Sequence, residues 1–439
     1  MILGIGYEDP FLVGLIGVGL LLVFVFLGVR VVFAAAIVGL LGLVELNGWA
    51  AGAGIAGTVP HSKSSTYALS VLPMFILIGF LAFHAGMTEQ LFDAARKWIG
   101  WVPGGLAVAT VFATAGFAAV SGASTATAAV FSRVAIPDML KYGYDKRLAA
   151  GVVAAGGTLA SLIPPSAILV IYAIIVEESV ALLLLAGFLP GLVSAIIYAA
   201  IIMGWSRFNP ELGPPVKGFT WGDRFAALPG ITPIFIVVAI IITAIYDGWA
   251  TPTEAGALGA FVVFVIALWR GMKFATVKES LMETAKLTVM IFSLIWGVLI
   301  FVRFLGFSGL PEAFTQWIIG LDVNPMLIMI CLLVAYAILG MFMDAIGMLL
   351  LTLPVVYPAV IALGFDSIWF GIIVVKMAEV CLITPPIGLN CFVVNGVRPD
   401  IPLGDIFRGI TLFFIADVIT IAVLLAFPEI ITWLPNTLR

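Results

Sequence analysis

Charge is what this sequence has least of: Lys, Arg, Asp and Glu make up 10% of its 439 residues. A chain so poor in charge cannot keep a soluble surface hydrated, which excludes a water-soluble globule. Histidine occurs twice, at His61 and His84, with no HExxH pair, so neither a zinc-protease site nor a nucleophile–base pair can be assembled. The three cysteines, Cys331, Cys381 and Cys391, lie in apolar segments without metal-ligand spacing and read as packing residues. There is no Walker loop, and Gly14, Gly17 and Gly19 sit inside an apolar run instead of after a strand, so no nucleotide motif exists. The opening MILGIGYEDP is acidic and has no basic n-region, so no cleavable leader is expected.

What the chain does have is apolar length. Hydrophobic residues make up 63% of it and the mean hydropathy is +1.23, which marks a polytopic membrane protein. Windows long enough to cross a bilayer recur at 11–29, 31–46, 69–86, 148–176, 180–204, 228–247, 254–269, 287–305, 367–397 and 405–427, which predicts ten spans. Two more apolar segments, 104–137 and 324–363, are interrupted at their centres by Gly-rich or polar residues and read as re-entrant hairpins. The net charge of −4 says little about partners, but its distribution says more. With Arg30 on the cytoplasmic side, sixteen of the 20 basic residues fall there, Lys63 and Arg439 fall outside, and Arg303 and Lys376 lie within spans. Both termini then face outward.

A repeat is hidden in this pattern. At an offset of 221 residues, Pro137, Gly143, Asp145 and Pro164–Pro165 align without a gap on Pro358, Gly364, Asp366 and Pro385–Pro386. Each repeat reads as span, amphipathic arm, hairpin, broken span and span. The parity of the spans makes the two repeats inverted, the architecture in which secondary transporters place a site near the midplane. Chance likeness between apolar segments is the alternative. The predicted organisation is N-terminal scaffold spans at 1–68, repeat 1 at 69–204, a connection with scaffold spans at 205–286, repeat 2 at 287–427 and a tail at 428–439. In the first arm Leu91, Ala94, Ala95, Trp98 and Ile99 form an apolar stripe, which predicts a helix in the plane of the interface.

Paired prolines remove backbone donors and disfavour helix before them. The run from Lys146 to Val176 would extend about 46 Å as one helix, so it reads as two half-helices. Unwound backbone at that depth is costly unless it meets a polar partner. Half-helix ends supply one, since carbonyl ends suit a cation and amide ends an anion. Two cation sites are expected, each built from a hairpin tip and a break. The first takes Ser121, Gly122 and Ser124 with Gly157, Thr158, Ile163 and Pro164; the second takes Gly340 and Asp344 with Glu379, Thr384 and Pro385. Hard oxygen donors of this kind fit Na⁺ better than a transition metal. The alternative is that Ser, Thr and Gly simply let helices pack closely. Lys376 and Glu379, three residues apart, read as a helical ion pair, and Asp417 has no partner visible in the sequence. With no nucleotide motif, any transport would run on a gradient.

The stretches LPMFILIGFLAFHAG, PGGLAVATVFATAGFAAVSGASTATAA, GGTLASLIPPSAILVIYA and ITPPIGLNCFVV together resemble the large membrane subunit of TRAP transporters, the tripartite ATP-independent periplasmic carriers. The resemblance implies an all-α, multi-pass protein of the bacterial inner membrane, not an enzyme. Its expected activity is import of a small organic anion, a carboxylate or sialic-acid-like compound, driven by two or more Na⁺ through an elevator movement. It implies a separate small four-span membrane subunit and a soluble periplasmic substrate-binding protein as partners, and no nucleic acid. Ala123 and Thr125 stand where serine is expected more often. An anion is expected at the amides that start the second half-helices, near Ser166 and Gly388, with Ser124 and Asn390 in reach. A stand-alone Na⁺-coupled anion carrier is the alternative, and an ion channel a more distant one.

Overall fold

The computed structural model describes residues 9–64 and 66–437; Arg439 and the side chain of Lys63, both expected outside the membrane, fall outside what is described. The described residues form nineteen α-helices and no strand. They are α1 (Pro10–Phe26), α2 (Val31–Ser64), α3 (Val71–His84), α4 (Met87–Ile99), α5 (Gly105–Ser121), α6 (Ser124–Lys141), α7 (Lys146–Thr158), α8 (Ala167–Val176), α9 (Val180–Phe208) and α10 (Trp221–Tyr246). Then follow α11 (Pro252–Trp269), α12 (Phe274–Ser308), α13 (Leu310–Ile319), α14 (Pro325–Gly340), α15 (Ala345–Ala362), α16 (Ser367–Ile383), α17 (Leu389–Val397), α18 (Leu403–Ala426) and α19 (Glu429–Asn436). Eight of the described helical segments are long and apolar enough to cross a membrane. The shorter apolar helices include α1, α5, α8 and α14.

The order of elements repeats: α3, α4, hairpin α5–α6, broken span α7–α8 and α9 correspond to α12, α13, hairpin α14–α15, broken span α16–α17 and α18. The residues that matched across the repeat are the ones that stop and start helices. Gly143 and Gly364 adopt φ of +79° and +88° just past α6 and α15, the left-handed region open to glycine at little cost. Asp145 then accepts from the amides of Arg147 and Leu148 to begin α7, and Asp366 accepts from Trp369 to begin α16. Such caps satisfy the orphan donors of a first turn. The repeated Pro–Pro pairs end the helical ladder, leaving 162–166 and 384–388 as breaks, with both Pro–Pro peptide bonds cis.

Two elements differ from the sequence expectation. The span expected at 31–46 continues through an Ala/Gly-rich segment to Ser64, but not straight. Gly48 has φ +76° and ψ 165°, and a Cβ on Gly52 would stand 2.7 Å from the Val44 backbone, so the chain doubles back on itself. The span expected at 287–305 begins at Phe274. At 1.5 Å per residue α12 is about 52 Å long, and its first turns carry Lys278, Glu279, Glu283 and Lys286, which project beyond an apolar layer of about 30 Å.

The helices sort into a frame and a core. In the frame, α1 and α2 pack on α12 through glycines: a Cβ on Gly39 would meet the Phe301 backbone at 2.6 Å, and Gly17 and Gly42 enclose the Phe304 ring. Helices α3, α11 and α10 continue this layer. The core holds both hairpins, both broken spans, α9 and α18. The arm α4 links the two. Arg96 bridges Asp93 on the arm and Asp138 on α6, and Trp98 donates to the Arg224 carbonyl of α10 at 3.0 Å. Leu91 and Ala94 are buried while Ala95, Trp98 and Ile99 are half-buried, so the apolar stripe of the arm is covered by protein.

Candidate functional site

The first hairpin tip is small. Ser121 ends α5, Gly122 takes φ +59°, Ala123 is extended, and Ser124 starts α6. Because these side chains are short, backbone from three other elements closes on the tip. A Cβ on Gly122 would lie 2.4 Å from the Pro165 carbonyl oxygen, one on Gly157 would lie 2.9 Å from the Ser124 carbonyl oxygen, and one on Gly79 of α3 would lie 2.7 Å from Ser121 Cα. The Ala167 amide donates to the Gly122 carbonyl at 3.4 Å. Ser121 and Thr127 share a hydrogen bond of 3.1 Å between hydroxyls. Ser121, Gly122, Ser124 and Gly157 therefore meet at the tip with Pro165, which follows Pro164, whereas Thr158 and Ile163 face α9: Thr158 Oγ1 lies 3.5 Å from Tyr198 Oη and a Cβ on Gly191 would meet Ile163 Cγ1. The break around Ile163 and Pro164 is buried. Carbonyls and hydroxyls converging on a dry tip offer hard oxygen donors to a small cation.

Asn390 joins the two repeats. Its Nδ2 donates at 3.0 Å both to Ser124 Oγ and to the Ala154 carbonyl. It is fully buried, and its Oδ1 has no partner. Ser124 and Asn390 are thus brought together from positions 266 residues apart. Gly388, which opens α17 with φ +46°, faces Phe407. Ser166 is already committed. Its Oγ donates to the Ser161 carbonyl and accepts from the Leu169 amide at 3.3 Å, so it caps α8 and has no free hydroxyl to offer an anion.

The second tip is built differently. Met341, Phe342 and Met343 precede Asp344, which accepts from the Gly347 amide at 3.0 Å and caps α15. Gly340 packs on Cys381 of α16. Among the described residues no hydrogen bond joins Gly340 or Asp344 to Thr384 or Pro385; the Thr384 hydroxyl donates to the Val380 carbonyl at 2.5 Å. Pro385, Pro386 and Ile387 are exposed.

Glu379 does not join that second tip. It lies two residues before Cys381, about 200° around the helix, and since Cys381 faces Gly340 and Tyr336, Glu379 points to α9 and α18. There Lys376 Nζ is 2.8 Å from Glu379 Oε2, 2.8 Å from Asp417 Oδ1 and 2.9 Å from Ser194 Oγ. Tyr198 Oη donates to Asp417 Oδ1 at 2.6 Å. All three charged side chains are 0% exposed. The expected Lys376–Glu379 pair is present, and Asp417, without a visible partner in the sequence, is its third member. Lys376, Glu379 and Asp417, charged residues inside apolar helices, were the signals for this cluster; Ser194 and Tyr198 carried none.

Two cavities flank the core. One of about 620 Å³ lies between α12 on the frame side and α8 and α15 on the core side, with Arg303, Glu177 and Glu312 in its lining. The other, about 160 Å³, reaches Ser121 and Ala123 at the first tip between α3, α12 and α6, with Arg133 and Glu283 also lining it.

The sequence profile of the tripartite ATP-independent periplasmic transporter, DctM component, matches residues 18–430. The chain belongs to that family. This permease is 34% identical over 380 residues to the C4-dicarboxylate TRAP transporter large permease protein DctM of Pseudomonas aeruginosa, covering 85% of this chain and 88% of the relative. It is 27% identical over 413 residues to the sialic acid TRAP transporter large permease protein SiaM of Vibrio cholerae, covering 94% and 96%. The isethionate TRAP transporter permease protein DctMQ of Oleidesulfovibrio alaskensis is 30% identical over 348 residues, 77% of this permease and 54% of that longer protein. Among solved structures, the Alcanivorax borkumensis YdaH transporter superposes with a TM-score of 0.58 at 14% identity, over 86% of this permease and 88% of that chain, a likeness of fold alone. The relatives are transporters, and this permease is a multi-pass membrane protein, not an enzyme.

Proposed function

We propose that this permease is the membrane subunit of a Na⁺-driven importer in the bacterial inner membrane, taking a small organic anion from a periplasmic binding protein. A small four-span membrane subunit completes the assembly. The observation that carries this reading is the junction of the first hairpin tip with the first break: backbone carbonyls of Ser124 and Pro165 within 3 Å of glycine Cβ positions, in a chain with no nucleotide motif. Such a junction holds a cation without a formal charge on the ligands, as broken helices do in gradient-driven carriers. Asn390 and Ser124, held together, are the polar groups nearest the expected anion position, and the kinship with dicarboxylate and sialic acid systems favours a carboxylate.

Movement of the core against the frame as an elevator is supported by the cavities that separate the two on both flanks. The arm α4, pinned to both layers, would act as the strap between them. The test is uptake by proteoliposomes holding this permease, its small subunit and its binding protein. Substrate accumulates only under an inward Na⁺ gradient. Uptake without Na⁺, or without the binding protein, overturns the reading. Thermal shift of the binding protein against a panel of organic anions identifies the substrate, because a ligand stabilises the folded form by mass action.

A further inference from the structure

The Lys376–Glu379–Asp417 cluster is not electrically complete. One ammonium faces two carboxylates, and all three groups are fully buried. The charged and titratable groups around it are few. Helix α16 supplies Lys376 and Glu379, α18 supplies Asp417, α9 supplies Tyr198, and the turn before the first break supplies none. An uncompensated charge removed from water costs several kcal/mol, and inside a membrane protein it is retained where it pairs or works. Lys376 occupies one oxygen of each carboxylate. Among the described residues the other two, Glu379 Oε1 and Asp417 Oδ2, have no hydrogen-bond partner, and neither does Ser161 Oγ in the turn before the break. The turn that carries Ser161 packs on α16. Two buried carboxylate oxygens left without a donor among the described residues, beside a surplus negative charge, are the complement of a cation.

We propose that this cluster binds one monovalent cation in addition to Lys376, so that the core carries a cation here as well as at the hairpin tips. The proposal rests on the reading of the chain as a cation-coupled permease. It differs from the tip sites in chemistry: carboxylates supply the charge, and the cation neutralises them. Because residues 161 and 162 belong to the break that closes on the first tip, occupancy here bears on the same backbone that forms the tip site. Na⁺ and a proton meet the same need, and the two are separated by counting.

The experiment measures ²²Na⁺ bound per chain by the full-length permease in nanodiscs at pH 8, and proton uptake in weakly buffered medium. Glu379→Gln and Asp417→Asn each remove the surplus charge while keeping side-chain shape. The expected result is one fewer Na⁺ per chain in both variants; where the cation is a proton, the Na⁺ count stays and one proton fewer is taken up. Variants that match the wild type in both counts overturn the proposal. A wild type that binds no Na⁺ at all overturns the broader coupling reading instead. Should neither variant fold, the wild type decides: three cations per chain, counting Na⁺ and protons together, support the site, and two cations overturn it.

Discussion

The two breaks share a Pro–Pro pair and the same place in the order of helices, yet one is closed and the other open. Around Pro164–Pro165 the backbone is buried and a hairpin tip sits against it; around Pro385–Pro386 three residues are exposed and no hydrogen bond reaches the tip. The prolines account for the break in both, since they remove donors and bar helix in the residue before them. What differs is the neighbour. The first tip reads SGAS and lets glycines of α3 and α7 approach to contact distance, whereas the second reads MFMD, with larger side chains at the corresponding turn. A repeated motif thus fixes where the helix opens, and the neighbour that meets it fixes how tightly the opening is covered.

That contrast can be broken by experiment. The largest effect is expected from Gly122→Val, which places a branched side chain at φ +59° and 2.4 Å from a backbone oxygen. Left-handed strain of about 1–3 kcal/mol adds to overpacking of about 1–3 kcal/mol, and the protein should be lost from monodisperse gel-filtration fractions. Gly388→Ala at the second break carries left-handed strain too, at φ +46°, but its methyl meets the Phe407 ring at 2.8 Å, a side chain able to swing, so the loss of folded protein should be smaller. Equal loss in both would remove the distinction between a closed and an open break.

Next in size is Asn390→Ala. It deletes two buried hydrogen bonds between the repeats, which costs about 1–3 kcal/mol where partners are left unsatisfied, and melting temperature and uptake should fall together. A melting temperature unchanged from wild type would show that the link between repeats is idle.

At the second tip, Asp344→Ala loses a helix cap worth about 1 kcal/mol, while Asp344→Ser keeps the cap and removes the charge. If Asp344 helps to hold Na⁺, both variants need more Na⁺ for half-maximal uptake, and only the alanine variant is less stable. An unchanged Na⁺ requirement in both leaves Asp344 as a cap alone. The smallest effect is expected from Thr384→Val, at a partly exposed residue whose hydroxyl bonds within its own helix. Stability should move by less than about 0.5 kcal/mol, so any rise in the Na⁺ requirement reports on the second break directly.

Much of the helix order was legible because its causes are local. The Gly143 and Gly364 stops, the Asp145 and Asp366 starts and the Pro–Pro breaks act within one turn of the chain, so their spacing alone revealed the repeat. The reversal at Gly48 was hidden, because the Ala- and Gly-rich residues after it are too weakly apolar to register as part of a span that ends at 46. The polar start of α12 was hidden for a related reason: four charges ended the apolar window while the helix itself continued. Within the candidate site, Ser124 and Asn390 were both placed in reach of one expected anion, but nothing in either segment says that they hydrogen-bond to each other. Glu379 was attached to the wrong neighbour, since a helix two residues from Cys381 turns its side chain to the far face, and only the packing of Cys381 on Gly340 tells which face is which.

By itself the sequence determined the membrane class, the order of the helices and the places where they open, because hydrophobic length, glycine, proline and capping residues act through the local backbone. The tertiary structure alone decided that Lys376 answers to Asp417 as well as Glu379 and that the first break is covered while the second is not. Those outcomes depend on which surfaces meet across two hundred residues, and packing over that distance leaves no periodic trace in the chain.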